Sequence, residues 1–334
     1  MKHFFILAVL VLASTFAIHA GINAIGLLPV QASSQGVSID HLFGIYVWGI
    51  AFLFSLIIVI MLYSLIVFRR KKGETGEGAH IQGNNTLEVV WTTLPFVAVL
   101  ILALLGAKSL GTIRLVDPSA LQVKVIAGQW YWQFQYPDLG FGSGDLYLPL
   151  GRQVNLQMTS NDVIHSFYVP EFRMKQDIIP GRTVGLRITP TRLGKYTVSC
   201  AQLCGTNHAY MVANVIVVSQ ADFQAWADQQ IATAASDPVL HGQQLVQEFG
   251  CPVCHSVDGT KKVGPTWQHL YQSTVTLSDG TKVTADETYL LNSIIDPNKQ
   301  IVSGYDPNVM PGTFGQTLDD ASIKAILAYI ESLK

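Results

Sequence analysis

Charge is scarce in this chain: Asp, Glu, Lys and Arg make up 13% of 334 residues, against 49% hydrophobic residues and a mean hydropathy of +0.32. That deficit excludes an ordinary soluble protein. The net charge of −2 gives no basic excess, so no nucleic-acid partner is expected. Cysteine is rarer still. The chain has four, and none is spare: they fall into Cys200-x-x-x-Cys204 and Cys251-x-x-Cys254, which excludes a disulfide-rich framework. The absence of internal repeats excludes a solenoid.

The missing charge is missing in blocks. No charged residue interrupts Leu42 to Phe68, 27 positions, or Val89 to Ala107, 19 positions, and about 20 apolar residues suffice to span hydrocarbon. A transmembrane helical hairpin is expected over 42–110. Arg69-Arg70-Lys71-Lys72 lies between the runs, and short Lys/Arg-rich loops stay cytoplasmic, so the chain after the hairpin is expected on the outer, periplasmic face. Another apolar stretch, Phe4 to Val30, follows Lys2. Within 1–32 it reads as a signal peptide, with small-residue sites ending at Ala20 or Ala32, or as an additional transmembrane helix.

Over 121–218 the pattern turns to short strands such as Val123 to Ala127 and Thr183 to Ile188, punctuated by Gly and Pro. It predicts an all-β sandwich or barrel. Ser219-Gln-Ala-Asp222 has capping-box spacing and opens a helical linker, 219–236. The segment 237–334 is mostly helical by pattern and ends in Ser322-Ile-Lys-Ala-Ile-Leu-Ala-Tyr-Ile.

Cys200-x3-Cys204-x3-His208-x2-Met211 presents two thiols, an imidazole and a thioether from one loop. Their softness selects copper over hard cations. A second imidazole is missing, and His165, 35 residues upstream, supplies it if a neighbouring strand end reaches the loop. One thiolate with two His makes a mononuclear blue site, whereas two thiolates can bridge two coppers. A structural disulfide or a tetrahedral zinc site are the alternatives, and zinc leaves Met211 without a role. Free thiols outside the cytoplasm need a claimant.

Cys251-x-x-Cys254-His255 is the attachment signature of a c-type haem. A Cys-x-x-Cys alone could equally be a redox disulfide. Met310 is the sole methionine after it and stands in Asn308-Val-Met310-Pro311, so it is the candidate second axial ligand. His/Met ligation raises the reduction potential. His241 and His269 read as surface or helix residues.

These motifs together resemble subunit II of the haem-copper cytochrome c oxidases over the hairpin and β domain, with a fused domain similar to class I cytochromes c, the caa3 type. The resemblance implies a multidomain membrane protein with a cupredoxin-like all-β barrel and a C-terminal all-α cytochrome c domain. It implies a binuclear CuA centre at His165, Cys200, Cys204, His208 and Met211 with the Gln202 backbone carbonyl. The family usually has Glu at that intermediate position, where its side chain also helps hold an interface magnesium; this chain departs from the pattern with Gln202, and a hard cation prefers a carboxylate. Gln129-Trp130-Tyr131-Trp132 resembles the family's aromatic signature, making Trp130 the electron relay, while Tyr131 and Trp132 read as packing. Glu88, in Asn85-Thr-Leu-Glu88, corresponds to a family residue that admits protons; Asn85 and Glu88 equally have capping-box spacing. Gly264-Pro265 corresponds to a pair that orients the proximal histidine.

The implied activity is electron transfer within a terminal oxidase. A donor such as a cytochrome c or a quinol-oxidising complex reduces covalent haem c, then CuA, then the haem-copper catalytic subunit I, where oxygen is reduced and protons are pumped. The implied location is a bacterial plasma membrane. A CuA-bearing subunit of a nitric oxide reductase and a copper-delivery module are the alternatives. The β domain carries net +3 and residues 237–334 net −5, so the two are expected to attract, with the haem domain docking over CuA.

Overall fold

The computed structural model describes residues 1–78, 80 and 82–333, without the side chains of 234 and 235, and divides into two units, Met1–Leu115 and Val116–Lys334. Residues 79 and 81 of the expected hairpin and 334 of the last segment lie outside the described residues.

The first unit is helical: α1 Lys2–Ile25, α2 Ser34–Val67 and α3 Asn85–Ile113. All three are long and apolar enough to cross a membrane. The stretch within 1–32 thus forms one helix, α1, and it packs on α2 through Ser14 and Ser55 hydroxyls 3.1 Å apart and His19 stacked on Trp48 at 3.7 Å. α3 starts one position earlier than its capping-box spacing implied. Asn84, in extended backbone, is the cap and accepts from the Leu87 N–H at 3.1 Å, so Asn85 is the first helical residue and Glu88 sits exposed in the first turn. Two adjacent asparagines offer the same capping chemistry, and the backbone selects the first.

The second unit begins with ten strands: β1 Leu121–Gly128, β2 Tyr131–Tyr136, β3 Phe141–Ser143, β4 Leu146–Pro149, β5 Val154–Ser160, β6 His165–Val169, β7 Met174–Ile178, β8 Val184–Ile188, β9 Gly194–Cys200 and β10 Val212–Val218. They form two five-stranded sheets, β3-β2-β1-β5-β8 and β4-β10-β9-β6-β7, a cupredoxin-like sandwich. β1 alternates as its sequence demands, with Leu121, Val123, Val125 and Ala127 inside and Lys124 outside. Phe134, Leu148, Leu156 and Phe167 are fully buried, each stabilising by about 1.5–3 kcal/mol.

α4, Gln220–Ser236, is capped by Ser219, which accepts from the Asp222 N–H. It is helical as expected, and it lies on the β domain, with Trp226 stacked on Tyr147 at 4.0 Å and edge-on to Tyr136. Asp237 then caps α5, Pro238–Glu248. The remaining elements are β11 Thr274–Thr276, β12 Lys282–Thr284, α6 Glu287–Ile295, α7 Phe314–Thr317 and α8 Asp320–Ser332. The C-terminal domain is helical as expected, with the short β11–β12 hairpin inserted between α5 and α6. The Asp279-Gly280 turn, with Gly280 at φ +84, and flanking Val/Thr runs explain the hairpin. α5 and α8 enclose the domain core, and α5 also leans on β2 and β3.

Candidate functional site

Antiparallel pairing of β6 with β9 erases the 35-residue gap in sequence. Phe167 pairs with Cys200, placing His165, the first residue of β6, beside the end of β9. The connection from β9 to β10 closes on itself, with Cys200 N–H donating to Met211 O at 3.1 Å and Ala201 N–H to Ser166 O at 2.9 Å. The loop therefore folds its donors inward. Cys200 and Cys204 sulfurs are unbonded and 3.8 Å apart. His165 Nδ1 lies 3.8 Å from Cys200 Sγ, His208 Nδ1 3.4 Å from Cys204 Sγ, and Met211 Sδ 3.8 Å from Cys204 Sγ. The Gln202 carbonyl oxygen is 3.2 Å from Cys200 Sγ. Ligand atoms of His165, Cys200 and Cys204 all fall within 4.8 Å of one another. Metal–sulfur bonds of about 2.3 Å let one ion touch both sulfurs at this spacing. The donor set fits copper, and Met211, fully buried, turns its thioether to the site.

Asp162 was not singled out from sequence. Its Oδ1 is 2.7 Å from His165 Nε2, and its Oδ2 accepts from the Gln129 N–H at 2.7 Å. It thereby fixes which His165 nitrogen faces the sulfurs. Burial opposes charge on His165, yet the bond to Asp162 and the contact with Cys200 outweigh it and raise the imidazole to about 9. Of the two thiols Cys204 is the less acidic, pushed up by burial and by the charge of Cys200. Trp132 donates from Nε1 to Met211 O at 3.3 Å, bracing the loop from the core.

The second group lines a cleft in the C-terminal part. Cys251, Cys254, His255 and Met310 all face it. His255 Nδ1 donates to Pro265 O at 2.8 Å, leaving Nε2 as the nitrogen able to bind a metal. The His255 ring stacks on Trp267 at 4.9 Å, and burial lowers its pKa, favouring the neutral form that ligates. A Cβ on Gly264 would come 2.7 Å from His255 Cε1, so the Gly264-Pro265 pair fits closely around the imidazole. Two thiols, an imidazole held by its far nitrogen and a thioether on one cleft suit a haem.

The cleft is walled on one side by the β domain. Gln129, Trp130 and Tyr131 line it, and Gln129 Nε2 and Trp130 Nε1 donate to the Cys204 carbonyl at 2.7 and 3.2 Å. Tyr131 is buried in the C-terminal core beside Phe314, not within the sandwich. Glu88 belongs to the first unit and shares neither group of residues.

Three family models match: cytochrome c oxidase subunit II, transmembrane domain, over residues 17–110; its periplasmic domain over 142–220; and cytochrome c over 239–334. The chain is 34% identical over 275 residues to cytochrome c oxidase subunit 2 of Thermostichus vulcanus, covering 66% of this chain and 84% of that protein. It is 31% identical over 301 residues to the same subunit of Alkalihalophilus pseudofirmus, covering 83% and 85%. The crystal structure of the periplasmic domain of subunit II of cytochrome oxidase of Bradyrhizobium japonicum matches 34% of this chain and 96% of its own, at 31% identity and a TM-score of 0.33.

Proposed function

Because this chain belongs to the cytochrome c oxidase subunit II family and carries a cytochrome c domain, we propose that electrons reach it from outside at the C-terminal cleft and leave through the loop of Cys200 and Cys204. It is an electron-transfer subunit of a membrane-anchored oxidoreductase complex, acting with other oxidase subunits. Cys251 and Cys254 would hold haem c by thioether bonds, and His255 and Met310 would ligate its iron. His165, Cys200, Cys204, His208, Met211 and the Gln202 carbonyl would hold two coppers. When bound, iron and copper supply the one-electron chemistry. The side chains do the positioning: Pro265 orients His255, Asp162 orients His165, and the sandwich keeps the loop donors converged, so little must rearrange when charge moves.

One observation carries this reading. Gln129, Trp130 and Tyr131 stand in the wall of the cleft that Cys251, Cys254 and His255 line, while Gln129 and Trp130 are hydrogen-bonded to Cys204. A path of one side chain and one hydrogen bond thus joins the two donor groups, with Trp130 as the relay. The docking of an acidic domain on a basic one, net −5 against net +3, supports the same arrangement. Arg69 to Lys72 support an orientation with both domains on the periplasmic face of a bacterial plasma membrane. A cytochrome c or a quinol-oxidising complex would be the donor, and oxygen reduction would take place in the catalytic partner subunit. Glu88, acidic in the first turn of α3, would admit protons; normal proton uptake in Glu88→Gln rejects that role.

The deciding experiment is copper and haem analysis of the oxidase purified through this chain, with optical spectra and turnover on reduced cytochrome c. Two coppers and one acid-stable haem per chain are expected. An active complex free of copper, with Cys200 bonded to Cys204, overturns the proposal.

A further inference from the structure

The seam between the β domain and the C-terminal domain is closed by a buried carboxyl. Glu248, at the end of α5 and 6% exposed, meets Gln133 of β2, whose Nε2 donates to Glu248 Oε1 at 2.6 Å. Gln133 is 1% exposed, and its own Oε1 is buried without a hydrogen-bond partner. Around the pair, three glycines let the two domains approach closely. A Cβ on Gly142 would lie 1.8 Å from Glu248 Oε1, and one on Gly144 2.3 Å from the Gln247 carbonyl oxygen. On the other side, a Cβ on Gly250 would lie 2.3 Å from the Tyr131 Cβ. This seam holds the C-terminal cleft against Gln129, Trp130 and Tyr131.

The orphan oxygen of Gln133 says which form of the carboxyl belongs here. A carboxylate only accepts, so it can take the amide hydrogen and return nothing; a carboxylic acid also donates, and so can complete a two-way acid–amide pair. The other charged or titratable groups lining this part of the seam are Lys124 on β1, Tyr136 on β2, His241 on α5 and Asp319 at the cap of α8. None of them is hydrogen-bonded to Glu248, whose partner is Gln133.

We propose that Glu248 is a positioning residue for electron transfer between the two domains: protonated, it pairs with Gln133 across the seam and holds the cleft against the Trp130 relay. The inference rests on the electron-transfer reading above. Burial raises Glu248 from 4.5 to about 7, the bond from Gln133 offsetting part of the shift. Separated from the β domain, the carboxyl meets water and regains its ordinary value. The docked form therefore keeps a proton that the undocked form releases between pH 4.5 and about 7. Docking is fully favoured below that window, weakens about tenfold per pH unit across it, and levels off above it.

The test is flash-initiated electron transfer from haem to copper in the purified oxidase complex, from about pH 5 to about pH 8.5 at constant ionic strength. The wild-type rate is expected to fall at least about tenfold between pH 5 and pH 7 and then level. Glu248→Gln keeps a donor for the Gln133 oxygen and cannot ionise, so its rate is expected to hold the acid limit throughout. Gly142→Val, which places a side chain where Glu248 sits, is expected to be slow at every pH with both optical signatures intact. A pH-independent wild type, an unchanged profile in Glu248→Gln, or a fast Gly142→Val overturns the role. Copper and haem content, measured first, separates two failures: a chain lacking either centre refutes the electron-transfer reading, and a loaded chain with pH-blind transfer refutes Glu248 alone.

Discussion

The side-chain amide of Gln129 donates to the backbone carbonyl of Cys204 at 2.7 Å, so the turn between β1 and β2 is tied to the loop that carries both thiols. Trp130 Nε1 donates to the same oxygen at 3.2 Å. A neutral hydrogen bond contributes about 1 kcal/mol net, which corresponds to a preference of about fivefold for the tied geometry. Gln129→Leu and Trp130→Phe each remove one donor and leave every proposed metal ligand in place. Transfer from haem to copper is expected to slow by about fivefold or more in each, with the copper absorption band unchanged. Flash kinetics on the loaded complex checks this, and an unchanged rate with an unchanged band removes the residue from the path.

Asp162 would govern the proposed copper site through His165. Burial works against its carboxylate, but the bond to His165 and the N–H groups of Val163 and Gln129 hold it below the usual range. It is thus a fixed anion behind the imidazole. Asp162→Ala frees the His165 ring to turn, and loss of such a partner weakens metal affinity by about 10–100-fold. Copper titration of the variant should show that loss while the haem spectrum stays intact. Full copper affinity in Asp162→Ala would show that the sandwich alone orients the ring.

What the sequence revealed, and what it hid, divides by range. Cys200, Cys204, His208 and Met211 were legible as a candidate site because their donor chemistry is packed into twelve residues. His165 was reachable because the candidate ligand set lacked a second imidazole; the β6–β9 pairing that delivers it left no mark of its own. Asp162 was hidden, since an acid three residues before a histidine reads as an ordinary turn residue. Glu248 and Gln133 were hidden more deeply. They are 115 residues apart, neither belongs to a motif, and the glycines that let them meet show no special role until two domains are brought together. Among local features, the cap of α3 was read one residue late because Asn84 and Asn85 offer identical capping chemistry. β11 and β12 escaped because three-residue strands are too short to show a period.

Gly264 is where the proposed haem ligation is most open to a single atom. Its N–H donates to Cys254 O at 2.9 Å and the next residue's carbonyl accepts from His255 Nδ1 at 2.8 Å, so the segment binds both halves of the attachment motif. The His255 ring lies between this segment and Trp267, and a methyl group on residue 264 would stand 2.7 Å from its Cε1. That is well inside van der Waals contact, and the stacked indole blocks the obvious retreat. Overpacking of this kind costs about 1–3 kcal/mol, which Gly264→Ala can relieve by tilting the imidazole away from its carbonyl partner. Haem is expected to remain attached through Cys251 and Cys254, because neither thiol is touched, while the axial bond weakens. The expected signs are a reduction potential shifted from wild type and a larger high-spin fraction in the optical and paramagnetic-resonance spectra. Wild-type values for both in Gly264→Ala would mean that the cleft yields elsewhere and that Pro265, without its glycine neighbour, suffices to aim His255.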